Sequence, residues 1–181
     1  MNLHFRKIKS DDLDMLLEWR NDDNVQEYLP SVKNIEDQYT WWIKSENDFT
    51  KKYRIVRVDD KDYGVFSLVN IDYSNKRLEI GGYIPRVNQG RMILGKKLAV
   101  SSIECIKHYA FEFMNFNKII ATVPKFNLRA LHLDLSCGFE IEGVLKEWFY
   151  HHGVYHDDYI LSFLKKDWNK DKFDLQYTFD E

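Results

Sequence analysis

A basic stretch without acidic residues is the first part of this sequence whose residue types suggest chemistry. Between Ile80 and Ile103 the chain has no Asp or Glu. The cations inside this stretch are Arg86, Arg91, Lys96 and Lys97. The pattern predicts a strand, a turn containing Gly90 and the start of a long helix, where unpaired backbone N–H groups and the helix dipole hold phosphate. In a chain of net charge -3, this local positive charge predicts an anion site.

Histidines and cysteines are the other residue types that could do chemistry. His151, His152 and His156 lie around a turn between two predicted strands, which gives ring orientations too scattered for a metal site, so we expect no metal. They are expected to be exposed turn residues, with substrate contact as the alternative. Cys105 and Cys137 are the only cysteines, without metal-ligand spacing. We expect reduced thiols, with Cys137 packed rather than carrying an acetyl group.

The elements that must position these residues follow from periodicity. Period-two alternation predicts a first strand at the N-terminus and three antiparallel strands between residues 52 and 84. Helical recurrence predicts two helices before them and a long central helix after Gly90. A buried strand ending at Pro124, a helix capped by Asn127 and a final pair of strands complete the order. This is an α/β domain with a mixed sheet.

Composition limits the class of protein. A length of 181 residues that is 44% hydrophobic fits one domain, which we place at residues 1–168, followed by a charged C-terminal tail at residues 169–181 that is expected to fray. The near-neutral charge does not favour nucleic-acid binding. The apolar runs are too short to cross a membrane and the N-terminus lacks the apolar core of a signal peptide, so a cytoplasmic protein is expected.

Three motifs give the chain a resemblance to a known family. The first is Glu79-Ile80-Gly81 with Tyr83-Ile84, the second is Gln89-Gly90-Arg91, and the third is N-x-x-A-[IL]-x-x-x-x-x-x-G-F. The third motif is matched by Asn127, Ala130, Leu131, Gly138 and Phe139. With these motifs the chain resembles the GNAT superfamily of acetyl-CoA-dependent N-acetyltransferases. The resemblance implies a mostly antiparallel sheet of six to seven strands, splayed at strands 4 and 5 and flanked by about four helices.

The same resemblance implies the site residues. Those expected to bind the cosubstrate acetyl-CoA are Tyr83, Ile84, Gln89, Gly90, Arg91, Gly95, Lys96, Asn127 and Arg129. Within the loop, Met92 and Leu94 replace the small residues usual in the family, and Gly95 comes one place late. The catalytic candidates are Glu79, Tyr83 and Asp134. Glu79 is either a base, directly or through water, or the partner of Lys76 or Arg77.

Asp134 stands where the family usually has a tyrosine that protonates the departing thiolate. A tyrosine keeps its proton at neutral pH, whereas a carboxyl with a pKa near 4 does not, so Asp134 serves as an acid only if burial raises its pKa by several units. The alternatives are water, Tyr83, Tyr150 or no acid. A further alternative is that Asp134 faces solvent.

The acceptor is expected to be a small-molecule primary amine. Residues 16–22, LLEWRND, and the Trp41-Trp42 pair resemble acetyltransferases of nucleotide-linked amino sugars in the pseudaminic-acid pathway, which makes such a sugar the first choice. The segments Gly143–Lys146 and His152–Asp157 resemble the ribosomal-protein and spermidine branch, so a protein N-terminus or a polyamine is the second. A non-catalytic acyl-CoA sensor is the contrasting reading, and a homodimer is left open.

Overall fold

The computed structural model of the chain describes residues 2–29, 31–86 and 92–181, without the side chains of residues 92–94. Its strands are β1 (Asn2–Lys7), β2 (Lys52–Val58), β3 (Lys61–Asp72), β4 (Arg77–Tyr83), β5 (Lys118–Pro124), β6 (Glu140–His151), β7 (Val154–Leu164) and β8 (Gln176–Phe179). They form one sheet in the order β6-β7-β5-β4-β3-β2-β1-β8. Among these described strands, only β1–β8 and β4–β5 pair in parallel. The mixed, mostly antiparallel sheet predicted from the sequence is therefore confirmed.

The α-helices within the described residues are α1 (Leu13–Arg20), α2 (Asp23–Gln26), α3 (Ile35–Glu46), α4 (Met92–His108) and α5 (Leu128–Ser136). A π-helical turn, Tyr109–Phe113, extends α4. The side chain of Asn34 accepts a hydrogen bond from the backbone N–H of Asp37, and Asn127 accepts one from Ala130. These caps occupy helix donors that lack intrahelical partners, which fixes where α3 and α5 begin.

The sheet has two covered faces, which we name by the helices packed on them. On the α4 face, α4 and α5 pack against alternate residues of the central strands, including Leu78, Ile119 and Leu161, which are fully buried. On the α1 face, α1 and α3 pack against the other alternate residues, such as Ile55 and Val65. Because side chains alternate between faces along a strand, the face of each remaining strand residue follows from this register.

The strands β4 and β5 separate partway along their length. They pair only where Arg77, Leu78 and Glu79 face Lys118, Ile119 and Ile120. Beyond these three rungs, β4 continues to Tyr83 and β5 to Pro124 without pairing to each other, while β3 and β7 keep pairing on their outer sides. The expected splay between strands 4 and 5 is therefore present, and it opens a gap in the middle of the sheet.

The C-terminal segment differs from its prediction. Residues 169–181 were expected to form a fraying tail outside the domain, but Gln176–Phe179 forms β8 and pairs in parallel with β1. The ring of Phe179 stacks on Tyr109 with centroids 4.1 Å apart, and Phe173 stacks on His108 at 4.2 Å. The sheet therefore has eight strands rather than six to seven, because the alternating apolar residues of this segment cover the end of α4.

Within the described residues, no helix is both long enough and apolar enough to span a bilayer.

Candidate active site

The gap between β4 and β5 is lined by two glycines on the β4 side. Gly81 and Gly82 are exposed although they belong to a central strand. Glycine within a strand commonly marks the close approach of a ligand or of another backbone. The next two residues, Tyr83 and Ile84, pass close to Gly64 of β3. A Cβ on Gly64 would meet the carbonyl oxygen of Tyr83 and the Cα of Ile84. The glycines therefore leave an exposed backbone beyond the last rung that β4 shares with β5, and at Gly82 a Cβ would also meet the carbonyl oxygen of Val65 on β3 at 2.8 Å.

The loop after α1 is tied to the same end of β4. The side-chain Nδ2 of Asn24 donates to the carbonyl oxygen of Ile84 at 3.5 Å, and the backbone N–H of Arg86 donates to Asp22 Oδ2 at 3.1 Å. These contacts place the acidic segment that begins at Asp22 beside the splay.

Tyr83 ends β4 on the α1 face. It packs with Trp41 and Tyr53 in the apolar cluster of that face, and the guanidinium carbon of Arg20 lies 5.6 Å from the centre of its ring. Burial raises the pKa of the Tyr83 phenol well above its usual value, although Arg20 opposes the shift. The phenol is therefore protonated at neutral pH and serves as a hydrogen-bond donor, not as a base.

Glu79 lies on the last paired rung of β4 and β5, on the α1 face. Its Oε2 accepts a hydrogen bond from the side chain of Asn70 at 2.8 Å. Within the described part of the chain, the sequence alternative of an ion pair with Lys76 or Arg77 is not found, because Arg77 pairs with Asp72 at 3.3 Å. The side chain is thus held at the start of the gap by a neutral partner, and one of its oxygens is already occupied.

Asp134 is buried on α5, with a relative exposure of 8%. Its expected alternative position on a solvent-facing surface is therefore wrong. Burial raises the pKa of this carboxyl from 3.8 to about 7, and no donor among the described residues hydrogen-bonds to it. Asp134 thus meets the condition that sequence reasoning set for an acid, because a substantial fraction of the carboxyl keeps its proton at neutral pH. Tyr150, an alternative donor, is instead exposed at the β6–β7 hairpin against Tyr155.

The residues expected to bind acetyl-CoA are only partly described. Gln89, Gly90 and Arg91 lie outside the described residues. The other expected residues are described. Tyr83 and Ile84 lie at the end of β4, Gly95 is buried and Lys96 exposed on α4, and at the start of α5 Arg129 is exposed and Asn127 is the cap. The side-chain oxygen of Asn127 is already occupied, because it accepts the capping hydrogen bond from the backbone N–H of Ala130.

An open surface depression of about 500 Å³, called the cavity from here on and missed by sequence reasoning, lies between the α2 segment and the β6–β7 hairpin. Its lining includes Asp23, Gln26, Glu27, His151 and His152. Among the described residues that line it there is no Lys or Arg. Burial lowers the pKa of His151, so this ring is neutral at pH 7. The described residues that line the cavity therefore include two carboxylates and no Lys or Arg.

Buried polar atoms without partners surround this region. Within the described residues, Asn24 Oδ1 on α2, His151 Nε2 on β6 and Asp158 Oδ1 on β7 are buried and make no hydrogen bond. Buried polar groups in folded proteins are normally paired, and each exception calls for an explanation such as a ligand or a water. Two of the three atoms are acceptors. A ligand that carries several N–H donors would supply what they lack.

Aromatic rings form the inner wall beside the cavity. The ring centroid of Phe126, just beyond the end of β5, lies 5.8 Å from that of Tyr28, 6.4 Å from that of His151 and 4.7 Å from that of His156. The hairpin histidines, expected to be exposed turn residues, are therefore partly packed. Only His152 is fully exposed. Sequence spacing gave no signal for this wall, because its members come from three distant segments.

The chain is similar in sequence to known acetyltransferases over most of its length. A family model described as an acetyltransferase (GNAT) domain matches residues 2–140. The chain is 29% identical over 174 residues to the uncharacterized N-acetyltransferase p20 of Bacillus licheniformis, covering 92% of this chain and 94% of that protein. It is 31% identical over 150 residues to acetyltransferase PseH of Campylobacter jejuni, covering 82% of this chain and 88% of that protein.

A solved structure of an acetyltransferase is also similar to this chain over most of its length. The crystal structure of spermidine N-acetyltransferase from Vibrio cholerae in complex with CoA and spermine has a TM-score of 0.81 to this chain, with 25% sequence identity, covering 91% of this chain and 96% of that one. The family match extends from β1 through the splay to α5 and therefore includes the gap.

Proposed function

The chain belongs to the GNAT family of acetyl-CoA-dependent N-acetyltransferases, and we propose that its acceptor is a small amine with more than one positive charge, such as a polyamine. The observation that carries this proposal is the cavity between α2 and the β6–β7 hairpin. Its wall carries the carboxylates of Asp23 and Glu27 and the neutral ring of His151. Carboxylates attract ammonium groups and repel the diphosphate of a nucleotide-linked sugar.

Hydrogen-bonding capacity supports the same class of acceptor. Protonated amines are donors only. The side-chain oxygens of Asn24 and Asp158 that have no partner among the described residues are acceptors only. The likeness to a spermidine N-acetyltransferase that binds spermine agrees with this choice. The polyamine, second in the sequence analysis, therefore becomes the first candidate.

A nucleotide-linked amino sugar is the second candidate. The LLEWRND resemblance and the likeness to PseH favour it. On the α1 face, Arg20 lies over the ring of Tyr83, with Trp41 packed nearby, and such a pairing of a cation with aromatic faces suits a phosphate and a base or sugar. This group lies beside the splay, in a wall separate from the carboxylates of the cavity.

The proposed reaction is direct transfer in a ternary complex. The amine nitrogen attacks the thioester carbon at the splay, where backbone N–H groups near Tyr83 and Ile84 stabilise the negative charge that develops on the carbonyl oxygen. The C–N bond forms, the C–S bond breaks and the thiolate leaves. Asp134 gives its proton to the sulfur and recovers one when the nitrogen loses its second proton to become the amide. One proton, that of the starting ammonium, is released overall.

The experiment that tests the acceptor is a comparison of kcat/KM for free-CoA release with four amines. They are spermidine, spermine, a peptide with a free N-terminus and a nucleotide-linked amino sugar. We expect the highest value with a polyamine. A higher value with the sugar or the peptide would overturn the proposal.

A variant pair links the result to the cavity. The double change Asp23→Asn with Glu27→Gln is expected to raise KM for the polyamine by about 10-fold, because each exposed ion pair contributes up to about 1 kcal/mol. KM for acetyl-CoA should not change. Glu36→Gln, an exposed carboxylate in the first turn of α3, is the matched control and should leave both constants unchanged.

A further inference from the structure

Asp158 on β7 is a buried carboxyl that the sequence analysis did not single out. Its relative exposure is 4%, and its Oδ1 makes no hydrogen bond to any of the described residues. It faces Pro124, the last residue of β5, on one side and Leu145 of β6 on the other. The neighbouring β7 residues Tyr159 and Leu161 pack on the α4 face, so Asp158 lies on the α1 face.

The adjacent carboxyl, Asp157, has a full set of hydrogen-bond donors. Asp157 points to the other face and accepts hydrogen bonds from Lys125 at 3.1 Å, Lys146 at 2.9 Å and the backbone N–H of Glu147 at 3.0 Å. Asp158 has none of these partners. The two neighbouring carboxyls therefore differ, because Asp157 accepts three hydrogen bonds while Asp158 Oδ1 accepts none from the described part of the chain.

Asp158 lies between the free end of β5 and the aromatic wall beside the cavity. Neighbouring strands lie about 4.8 Å apart, so Asp158 is one strand spacing from the free end of β5. Two residues along the same face, the His156 ring packs on Phe126, which forms the aromatic wall beside the cavity. Asp158 is therefore nearer to this wall than the unpaired edge of β5 that faces the splay.

We propose that Asp158 is the catalytic base, the carboxylate that receives the ammonium group of the acceptor and takes one proton from it before attack. This inference rests on the proposed function, since it needs an amine acceptor. The N–H bond breaks and an O–H bond forms on Asp158. The neutral amine keeps the electron pair that attacks the thioester carbon, and the proton on Asp158 passes to water after the product leaves.

The other two carboxyl candidates suit this step less well. Glu79 has one oxygen occupied by Asn70 and lies where β4 and β5 are still paired. Asp134 is on α5, across the sheet from the cavity. A base on the α1 face and an acid on the α4 face let the amine enter from one side of the gap while the sulfur leaves on the other.

The charge environment of Asp158 agrees with a base that works near neutral pH. Burial raises its pKa to about 6, His156 on the same face opposes the shift, and Asp157 adds to it. The carboxyl is therefore mostly ionised at pH 7. No cation among the described residues forms an ion pair with it, which leaves that place for the ligand.

The test is Asp158→Asn, with Asp157→Asn as the matched control. With whichever amine the wild type acetylates, we expect kcat/KM for Asp158→Asn to fall by about 100-fold or more, in the range of a lost general base. The acidic limb of its pH profile near pH 6 should disappear, while acetyl-CoA binding is unchanged. Asp157→Asn should stay within about 3-fold of the wild type and keep the limb.

A second measurement does not depend on the variant folding well. The wild-type protein is labelled with carbon-13 at its aspartate carboxyls, and addition of the amine without acetyl-CoA should lower the pKa of the Asp158 carboxyl. Its resonance is assigned as the one that is missing from the spectrum of Asp158→Asn. If that variant does not fold, Asp158→Glu serves for the assignment. A pKa unaffected by the amine, or a variant with the wild-type profile, would overturn the base role.

Failure of the inference is distinguishable from failure of the acceptor proposal. If the wild type prefers the sugar, the polyamine proposal fails, and Asp158 is then tested with the sugar amine. If the wild type acetylates no amine, both fail. If it acetylates a polyamine and Asp158→Asn is fully active, only the base role fails.

Discussion

Replacing Asp134 by asparagine should make the protein more stable relative to the wild type as the pH rises. Because burial raises the folded-state pKa of Asp134 from 3.8 to about 7, the folded protein holds a proton that the unfolded chain releases. The contribution of Asp134 to wild-type stability therefore falls as the pH rises from about 4 to about 7 and is level above that. The Asp134→Asn variant carries no such penalty because its amide does not titrate.

The magnitude follows from the size of the shift. About three pKa units at about 1.4 kcal/mol per unit give a full penalty of about 4 kcal/mol above pH 7. At about pH 5, only about 1.6 kcal/mol of it has developed. The free energy of unfolding of Asp134→Asn, relative to the wild type, should therefore improve by about 3 kcal/mol between about pH 5 and about pH 8. This difference is independent of any constant cost of burying the amide.

The assay is urea unfolding of both proteins at the two pH values, followed by tryptophan fluorescence. With an m value of about 2 kcal/mol/M, the relative shift corresponds to a change in midpoint of more than about 1 M. Asp157→Asn is the control, because Lys146 and the other donors hold the pKa of Asp157 well below its usual range. Its stabilisation is lost only as the pH falls below about 4, so the control should show no difference between the two pH values.

The activity of Asp134→Asn completes this prediction. As the proposed acid, Asp134 should contribute to turnover, and we expect a loss of about 10- to 100-fold, the lower end of general-acid effects, since a thiol with a pKa of about 8.5 leaves readily. An identical pH dependence of stability in variant and wild type would refute the raised pKa. Unchanged turnover would remove Asp134 from the mechanism.

Other substitutions test the scaffold of the site. Gly64→Ala should raise the Kd for acetyl-CoA, measured by calorimetry, by about 10-fold because its Cβ meets the backbone of Tyr83. Gly143→Ala is the control and should leave the Kd unchanged, because its Cβ meets only a methyl group at 3.7 Å. Phe179→Ala should lower the free energy of unfolding by about 3 kcal/mol because it removes the stacked ring that seals β8 onto the domain, and an unchanged urea midpoint would show that β8 adds no stability. Cys137→Ala should leave kcat within about 2-fold, since burial raises the pKa of this thiol to about 11; a large loss would revive the covalent route.

The fold was predictable from the sequence because its strands and helices follow simple periodicities and the family motifs fix their order. The eighth strand was missed because acidic and basic residues dominate the C-terminal segment. Its alternating Phe173, Leu175, Tyr177 and Phe179 were a usable signal, since an apolar residue at every second place indicates a half-buried strand.

The site was predictable only where a motif marked it. The resemblance identified the place of Asp134, but the pKa that makes it a usable acid depends on burial, which one sequence does not reveal. Asp158 looked like any surface carboxylate next to Asp157. Only the register of β7 against β5 shows that one of the two faces protein donors and the other faces a buried region without them.

The most direct test of these assignments is the pH dependence of kcat/KM for the wild type, measured as free-CoA release with spermidine between about pH 5 and pH 8.5. In this range the amine stays protonated, so the profile reports groups of the free enzyme. We predict a bell with an acidic limb near pH 6, from Asp158, and a basic limb near pH 7, from Asp134. A rate that rises steadily with pH, as expected when only the small fraction of free amine reacts without a base, would contradict both roles.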